Sequence, residues 1–157
     1  GAFGKTVLSE VEDADFLKAI PSLRRQYGDR AVLRAMHFYS ENRRAVEEKE
    51  ALQKGNFERF RQLVRRSGRS SAMYLQNVYA GMNPEKQDMS IALALAENIL
   101  GDRGAVRVHG GGFAGTIQAF VPNDMLSYFK TTMESVLGKD ACHVLTIRPA
   151  GGVVLLA

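Results

Sequence analysis

The densest run of usable backbone is Arg107-Val108-His109-Gly110-Gly111-Gly112-Phe113-Ala114-Gly115-Thr116. Glycines without side chains can expose N–H groups to an anion or let another chain segment approach closely. A tight structural turn is the third use the spacing allows. Gly110, Gly112 and Gly115 satisfy GxGxxG. A dinucleotide site needs a helix to open after such a loop, whereas residues 116–121 read as a strand. No Gly-Lys-Ser or Gly-Lys-Thr closes the run, so it is not a Walker A loop. Arg107 and His109 fall on one face of the preceding strand, which places an imidazole beside the loop and a guanidinium behind it in support. A valine at Gly111 is expected to reduce turnover far more than stability in a parent enzyme, by pushing neighbouring N–H groups off target.

Other chemically capable residues read as structural. His37 has no identifiable acid partner and is expected to make a packing hydrogen bond in a helix. His143 is read as structural too. Cys142, the only cysteine, lacks an activating neighbour and reads as a strand residue, with no internal disulfide open to it. The three histidines show no metal-ligand spacing with it. The sequence therefore offers no metal site and no catalytic residue of its own.

Helices come first among the elements that must position the loop. Residues 1–28 are an N-terminal arm of uncertain structure, with 2–7 either a short strand or disordered. From Asp29 a helix carries Ala35, Phe38, Ala45, Val46 and Leu52 to Gly55. Asn56 caps a second helix that runs to about 79–81, and Gly68 on its apolar stripe invites close packing by another backbone. Asn83 and Pro84 open a third, with Met89, Leu93, Ala96 and Leu100 facing inward until Gly101. Val106 and Val108 then alternate with Arg107 and His109 as in a half-buried strand, and 116–121 is its neighbour. A helix from Asn123 or Asp124 buries Leu126, Phe129, Met133 and Val136. Runs at 142–147 and 153–156 flank Pro149-Ala150-Gly151-Gly152 as a hairpin. Helices followed by ββαββ give an α+β class, with a four-stranded, mainly antiparallel sheet and helices packed chiefly on one face.

Bulk properties suit that arrangement. The 157 residues are 45% hydrophobic, enough for one domain with a core. A net charge of +4 needs no special partner. Arg59, Arg61, Arg65, Arg66 and Arg69 fall mostly on the solvated faces of one amphipathic helix, which argues against nucleic acid. No stretch is apolar enough for a membrane span, and cysteine usage points to the cytoplasm. A chain opening on Gly1 and Ala2 suggests a tag scar or a domain cut from a longer protein.

The glycine-rich run resembles the third signature of the GHMP kinases, a GGGFGG loop between two strands. The galactokinase branch is the most similar: Met36-His37-Phe38-Tyr39-Ser40-Glu41-Asn42-Arg43 resembles its His, Glu-Asn, Arg helix, and Cys142-His143-Val144-Leu145-Thr146-Ile147-Arg148-Pro149 resembles its C-terminal strand. Ala114 stands where a glycine is usual and His109 where better-known members have threonine. The resemblance, from about Asp29 onward, implies a GHMP-kinase C-terminal domain whose N-terminal catalytic domain is absent from this chain. In the parent, ATP and Mg²⁺ would serve phosphoryl transfer to the C1 hydroxyl of galactose or a related sugar. The substrate and phosphate side of the cleft would fall to His109, Gly110, Gly111, Gly112, Phe113, Ala114 and Gly115, with Arg107 in support. The fragment alone is expected to be inactive, to hold no cofactor, and to self-associate through its exposed interdomain surface. A non-catalytic sugar sensor on the same scaffold and a free-standing ligand-binding module are the alternatives.

Overall fold

The computed structural model describes residues 2–79, 83–112 and 115–147. In chain order these form α1 (Asp13–Tyr27), α2 (Asp29–Gln53), α3 (Phe57–Ser70), α4 (Asp88–Leu100), β1 (Ala105–His109), β2 (Thr116–Phe120) and α5 (Leu126–Leu137). The class is α+β, and the described part is mostly helical. No helix among the described residues is long and apolar enough to cross a membrane.

The expected N-terminal arm holds a helix. Pro21 lies within α1, on its exposed side. Asp13 and Asp15 in the first turn and Arg24 and Arg25 in the last complement the helix dipole. Phe16 and Leu23 are buried two turns apart with Val11, Val32 and Tyr39. The Tyr39 ring lies 5.0 Å from that of Phe16, and its hydroxyl donates to Val11 O at 2.8 Å. Residues 2–7 form turns and bends that lead into a single 3₁₀ turn at Leu8–Glu10.

Asn56 caps α3 as expected, its Oδ1 accepting from the Arg59 N–H at 3.0 Å. Gly68 meets the close backbone its position called for: a Cβ there would stand 3.0 Å from Val106 O and 3.4 Å from Arg107 Cβ. The helix stops short of the expected 79–81. A π-helical turn, Ser71–Leu75, follows it and ends at Gln76, which adopts the left-handed conformation with φ 57°. The fourth helix also starts later than expected, at Asp88. Asn83 instead folds a local turn, accepting from the Glu85 N–H at 3.2 Å through its side chain and from Gln87 Nε2 at 3.0 Å through its carbonyl.

β1 and β2 pair antiparallel, with Val106 opposite Ala119, Arg107 opposite Gln118, Val108 opposite Ile117 and His109 opposite Thr116. Residues directly opposite share a face. Val106, Ala119 and Ile117 pack with Ala92, Ala96 and Leu100 of α4 and Phe129 and Met133 of α5. Val108 joins the same face, with Val78 and Met89. The opposite face is covered as well, by α3: Arg107 reaches Ser67, and Phe60 meets Phe120 edge to face at 5.0 Å. Helices therefore pack on both faces of the ribbon, not chiefly on one. The expectation failed because an alternation of apolar with polar residues looks half-solvated even when a polar helix face covers the second side.

Of the four expected strands, two are present among the described residues. The segment 141–147 forms no strand there. Its expected partner at 153–156, with the intervening Pro149 to Gly152, lies outside the described residues.

Candidate functional site

The glycine loop leaves β1 at His109 and returns at Thr116, so the last rung of the ribbon fixes both ends. Three of its glycines differ sharply in what they require. Gly110 has φ +69° but open space where a Cβ would stand, so its demand is conformational alone. Gly111 carries neither constraint: a Cβ there meets nothing within 4 Å. At Gly112, φ is +77° and a Cβ would collide with the Asn77 carbonyl oxygen, lie 2.7 Å from Asn77 Nδ2 and 2.8 Å from its Cγ. The glycine that packing within the chain requires is thus Gly112, and Gly111 is free of any such packing demand among the described residues. Gly115 would make ordinary contacts only. Phe113 and Ala114 lie outside the described residues.

Of the three uses open to the loop, close approach of another segment is the one realised at Gly112. That segment is Asn77, presented by the left-handed Gln76 at the end of the π-helical turn. Asn77 is 1% exposed. Its Nδ2 donates to Gly111 O at 3.2 Å, while its Oδ1 has no hydrogen-bond partner among the described residues. An unpaired buried amide oxygen costs about 1–3 kcal/mol. Sequence reasoning missed this residue. Its one signal is a short polar side chain immediately before buried Val78, which the expected continuation of α3 absorbed as surface.

The loop has two sides in consequence. One is seated on Asn77 through Gly112. The other, at Gly110 and Gly111, is exposed, and a Cβ at either position meets none of the described residues within 4 Å. His109 is exposed beside it, while Arg107 is not part of the loop's lining.

Arg107 belongs to a polar seam between α2, α3 and β1. Its Nε donates to Gln118 Oε1 at 3.4 Å and its guanidinium to Ser67 Oγ at 3.2 Å, with Glu48 3.9 Å away. Ser67, 3% exposed, passes the chain on by donating to Glu41 Oε2 at 2.7 Å, and Glu41 pairs with Arg44. One turn earlier on α2, His37 Nδ1 and Ser70 Oγ share a hydrogen bond of 2.9 Å. Burial, reinforced by the Arg44 charge and opposed by the bond to Ser70, holds the His37 imidazole below its ordinary pKa. This is the packing hydrogen bond expected of it. His37 and Glu41 therefore share an inward face, whereas Arg43 turns away to pair with Asp13 of α1 and Asn42 is exposed.

The basic run on α3 is only partly solvated. Arg59 pairs with Glu47, but Arg65 donates to the carbonyls of Gly101 and Gly104 at 2.8 and 2.6 Å, fastening α3 to the turn that feeds β1. Cys142 packs against the α4–α5 core. Burial and the nearby Glu134 carboxylate push its thiol up, against the pull of Lys130, which disfavours the thiolate a nucleophile needs. His143 is exposed. Among the described residues no group of three or more His, Cys, Asp or Glu side chains could hold a metal ion. No protein-family model matches the chain.

Chemically, what the described loop offers is backbone with the exposed His109 imidazole beside it. A loop with a fixed backbone and an open side offers main-chain contacts to a small polar ligand. The described residues place no nucleophile and no paired acid and base beside it.

Proposed function

We propose that this chain is the C-terminal domain of a galactokinase-like kinase and that its glycine loop forms one wall of the sugar and phosphate cleft. The observation that carries the reading is the asymmetric loop: Gly112 is seated tightly while Gly110 and Gly111 present unobstructed backbone. Phosphoryl transfer depends on positioning and charge stabilisation more than on covalent chemistry. A wall whose backbone is held from behind and free in front serves that need. The resemblance of the 107–116 run to the GHMP loop, and of 36–43 to the galactokinase helix, directs the reading to galactose or a related sugar.

On this reading ATP and Mg²⁺ bind in the parent polypeptide, with the metal's ligands and the catalytic groups supplied by the missing N-terminal domain. His109 and Gly110 to Gly115 would line the cleft, with Arg107 acting indirectly by fixing the strand. The sheet would be completed by a hairpin of 142–147 and 153–156. Leu145 and Ile147, 86% and 80% exposed on their unpaired segment, support that completion. The enzyme would work in the cytoplasm, without nucleic-acid or membrane partners, and the isolated domain would self-associate through the surface that faces its missing partner.

The test is ATP-dependent phosphorylation of galactose, measured for the parent polypeptide and for the 157-residue chain alone. Turnover by the first and none by the second is expected. Turnover by the chain alone overturns the reading, and so does a parent that phosphorylates no aldose.

A further inference from the structure

We infer that Asn77 is the positioning residue of the glycine loop, holding its backbone in the conformation that the cleft uses; the purpose of the hold rests on the kinase reading, the hold itself does not. Three observations converge on it. Asn77 is among the most completely buried side chains of the described residues. Its amide spends one hydrogen bond on the loop, Nδ2 to Gly111 O, and Oδ1 has no partner among the described residues. Its backbone carbonyl and carboxamide define the surface on which Gly112 lies, so closely that no Cβ fits.

The orientation of the amide is therefore the functional feature. Turned over, it would set Oδ1 against the Gly111 carbonyl oxygen, two acceptors facing each other. The burial of Asn77, its donated bond and the seating of Gly112 on the same residue together point to the Gly111 carbonyl as its purpose. Fixing that carbonyl and the adjoining Gly112 anchors the backbone that opens on the far side at Gly110 and Gly111. Asn77 touches no reacting atom on this account. It acts through the loop.

Asn77→Asp tests the hold because it keeps the shape and exchanges the donor for an acceptor. In the buried site the new carboxyl has a raised pKa. At pH 8, where the charged form competes, no donor faces Gly111 O. Near pH 5 the neutral acid regains an O–H and can donate. The NMR shift of the Gly111 carbonyl carbon, which reports the hydrogen bond its oxygen accepts, should move to its unbonded value at pH 8 and return near pH 5. The amides of α4 should keep their hydrogen-exchange protection at both pH values. A Gly111 carbonyl shift equal to that of the unsubstituted chain at pH 8 overturns the inference, as does a change that pH 5 does not reverse.

Should Asn77→Asp loosen α4 as well, Gly112→Ala applies the test from the loop side, its Cβ driving against the Asn77 carbonyl and carboxamide at a positive φ. It should shift the Gly111 carbonyl resonance while α4 keeps its protection, and an unshifted Gly111 carbonyl in it overturns the inference. In the parent enzyme Asn77→Asp should lower kcat at pH 8 by as much as a hundredfold, a loss out of proportion to any rise in KM. A loosened loop with unchanged kcat in an active parent contradicts the positioning role. A parent without kinase activity whose loop still responds to Asn77→Asp defeats the kinase reading and upholds the hold.

Discussion

The two faces of the β1–β2 ribbon are covered in opposite ways. Under α4 and α5 the contacts are apolar: Val106, Ile117 and Ala119 meet Ala96, Leu100, Phe129 and Met133. Under α3 they are directional, running from Arg107 through Ser67 to Glu41 and Arg44. Apolar burial supplies stability but discriminates weakly between neighbouring registers. A chain of reciprocal hydrogen bonds is satisfied in one register only. Placing both on a five-residue strand lets one face secure the ribbon and the other fix where its end lies, and the glycine loop begins at that end.

The contrast is sharpest when each face is truncated. Met133→Ala removes a side chain 1% exposed from the apolar side and should lower the free energy of unfolding in urea by about 2–5 kcal/mol. Ser67→Ala deletes the hydroxyl joining Arg107 to Glu41 and should cost less, about 1–3 kcal/mol. It should also loosen the amides of β1 more than those of α5 in hydrogen exchange. A larger loss from Ser67→Ala than from Met133→Ala would reverse the division of labour between the faces.

A smaller effect isolates the seam's far end. The His37 pKa is held down mainly by burial, so the unfolded chain takes up a proton at a higher pH than the folded one. The stability this represents is fully present above the unfolded value of about 6.5 and is lost as pH falls through the folded pKa. Unfolding in urea at a series of pH values should show that decline below about 6.5, and His37→Gln should flatten it. An equally steep decline in His37→Gln would assign it to other groups.

These two faces also differ in how far the sequence reveals them. Met89, Ala96, Leu100, Phe129 and Met133 recur at helical spacing, and their burial follows from that period. Nothing in the spacing of Glu41, Ser67 and Arg107 announces a shared contact, because side-chain partnership across three elements leaves no periodic trace. The resemblance picked out His37 and Glu41 but joined them with Arg43, where the fold uses Arg44. The first helix lies in residues that read as an arm of uncertain structure, and its burial of Phe16 and Leu23 comes from partners on α2 that local spacing does not name. At the loop the run of glycines was legible and their ranking was not. Gly111 stands at its centre, but the distinction belongs to Gly112, and only the position of Asn77 makes it so. Asn77 in turn depends on the left-handed turn at Gln76, a conformation that glutamine seldom adopts.

The most direct measurement of the central claim, that the loop is seated through Gly112 and serves the cleft by its fixed backbone, compares Gly111→Val with Gly112→Val in the parent enzyme. Turnover with galactose and ATP is read beside the thermal midpoint of each protein. Valine at Gly111 meets none of the described residues and should leave the midpoint close to that of the unsubstituted enzyme, lowering turnover only by standing on the ligand side. Valine at Gly112 faces Asn77 and a positive φ, should displace the loop and lower the midpoint by a few degrees, and should lower kcat on the order of a hundredfold while the core keeps the enzyme folded. A midpoint lowered at Gly111 as much as at Gly112, or a loss of turnover at Gly112 that merely tracks unfolding, would contradict the account.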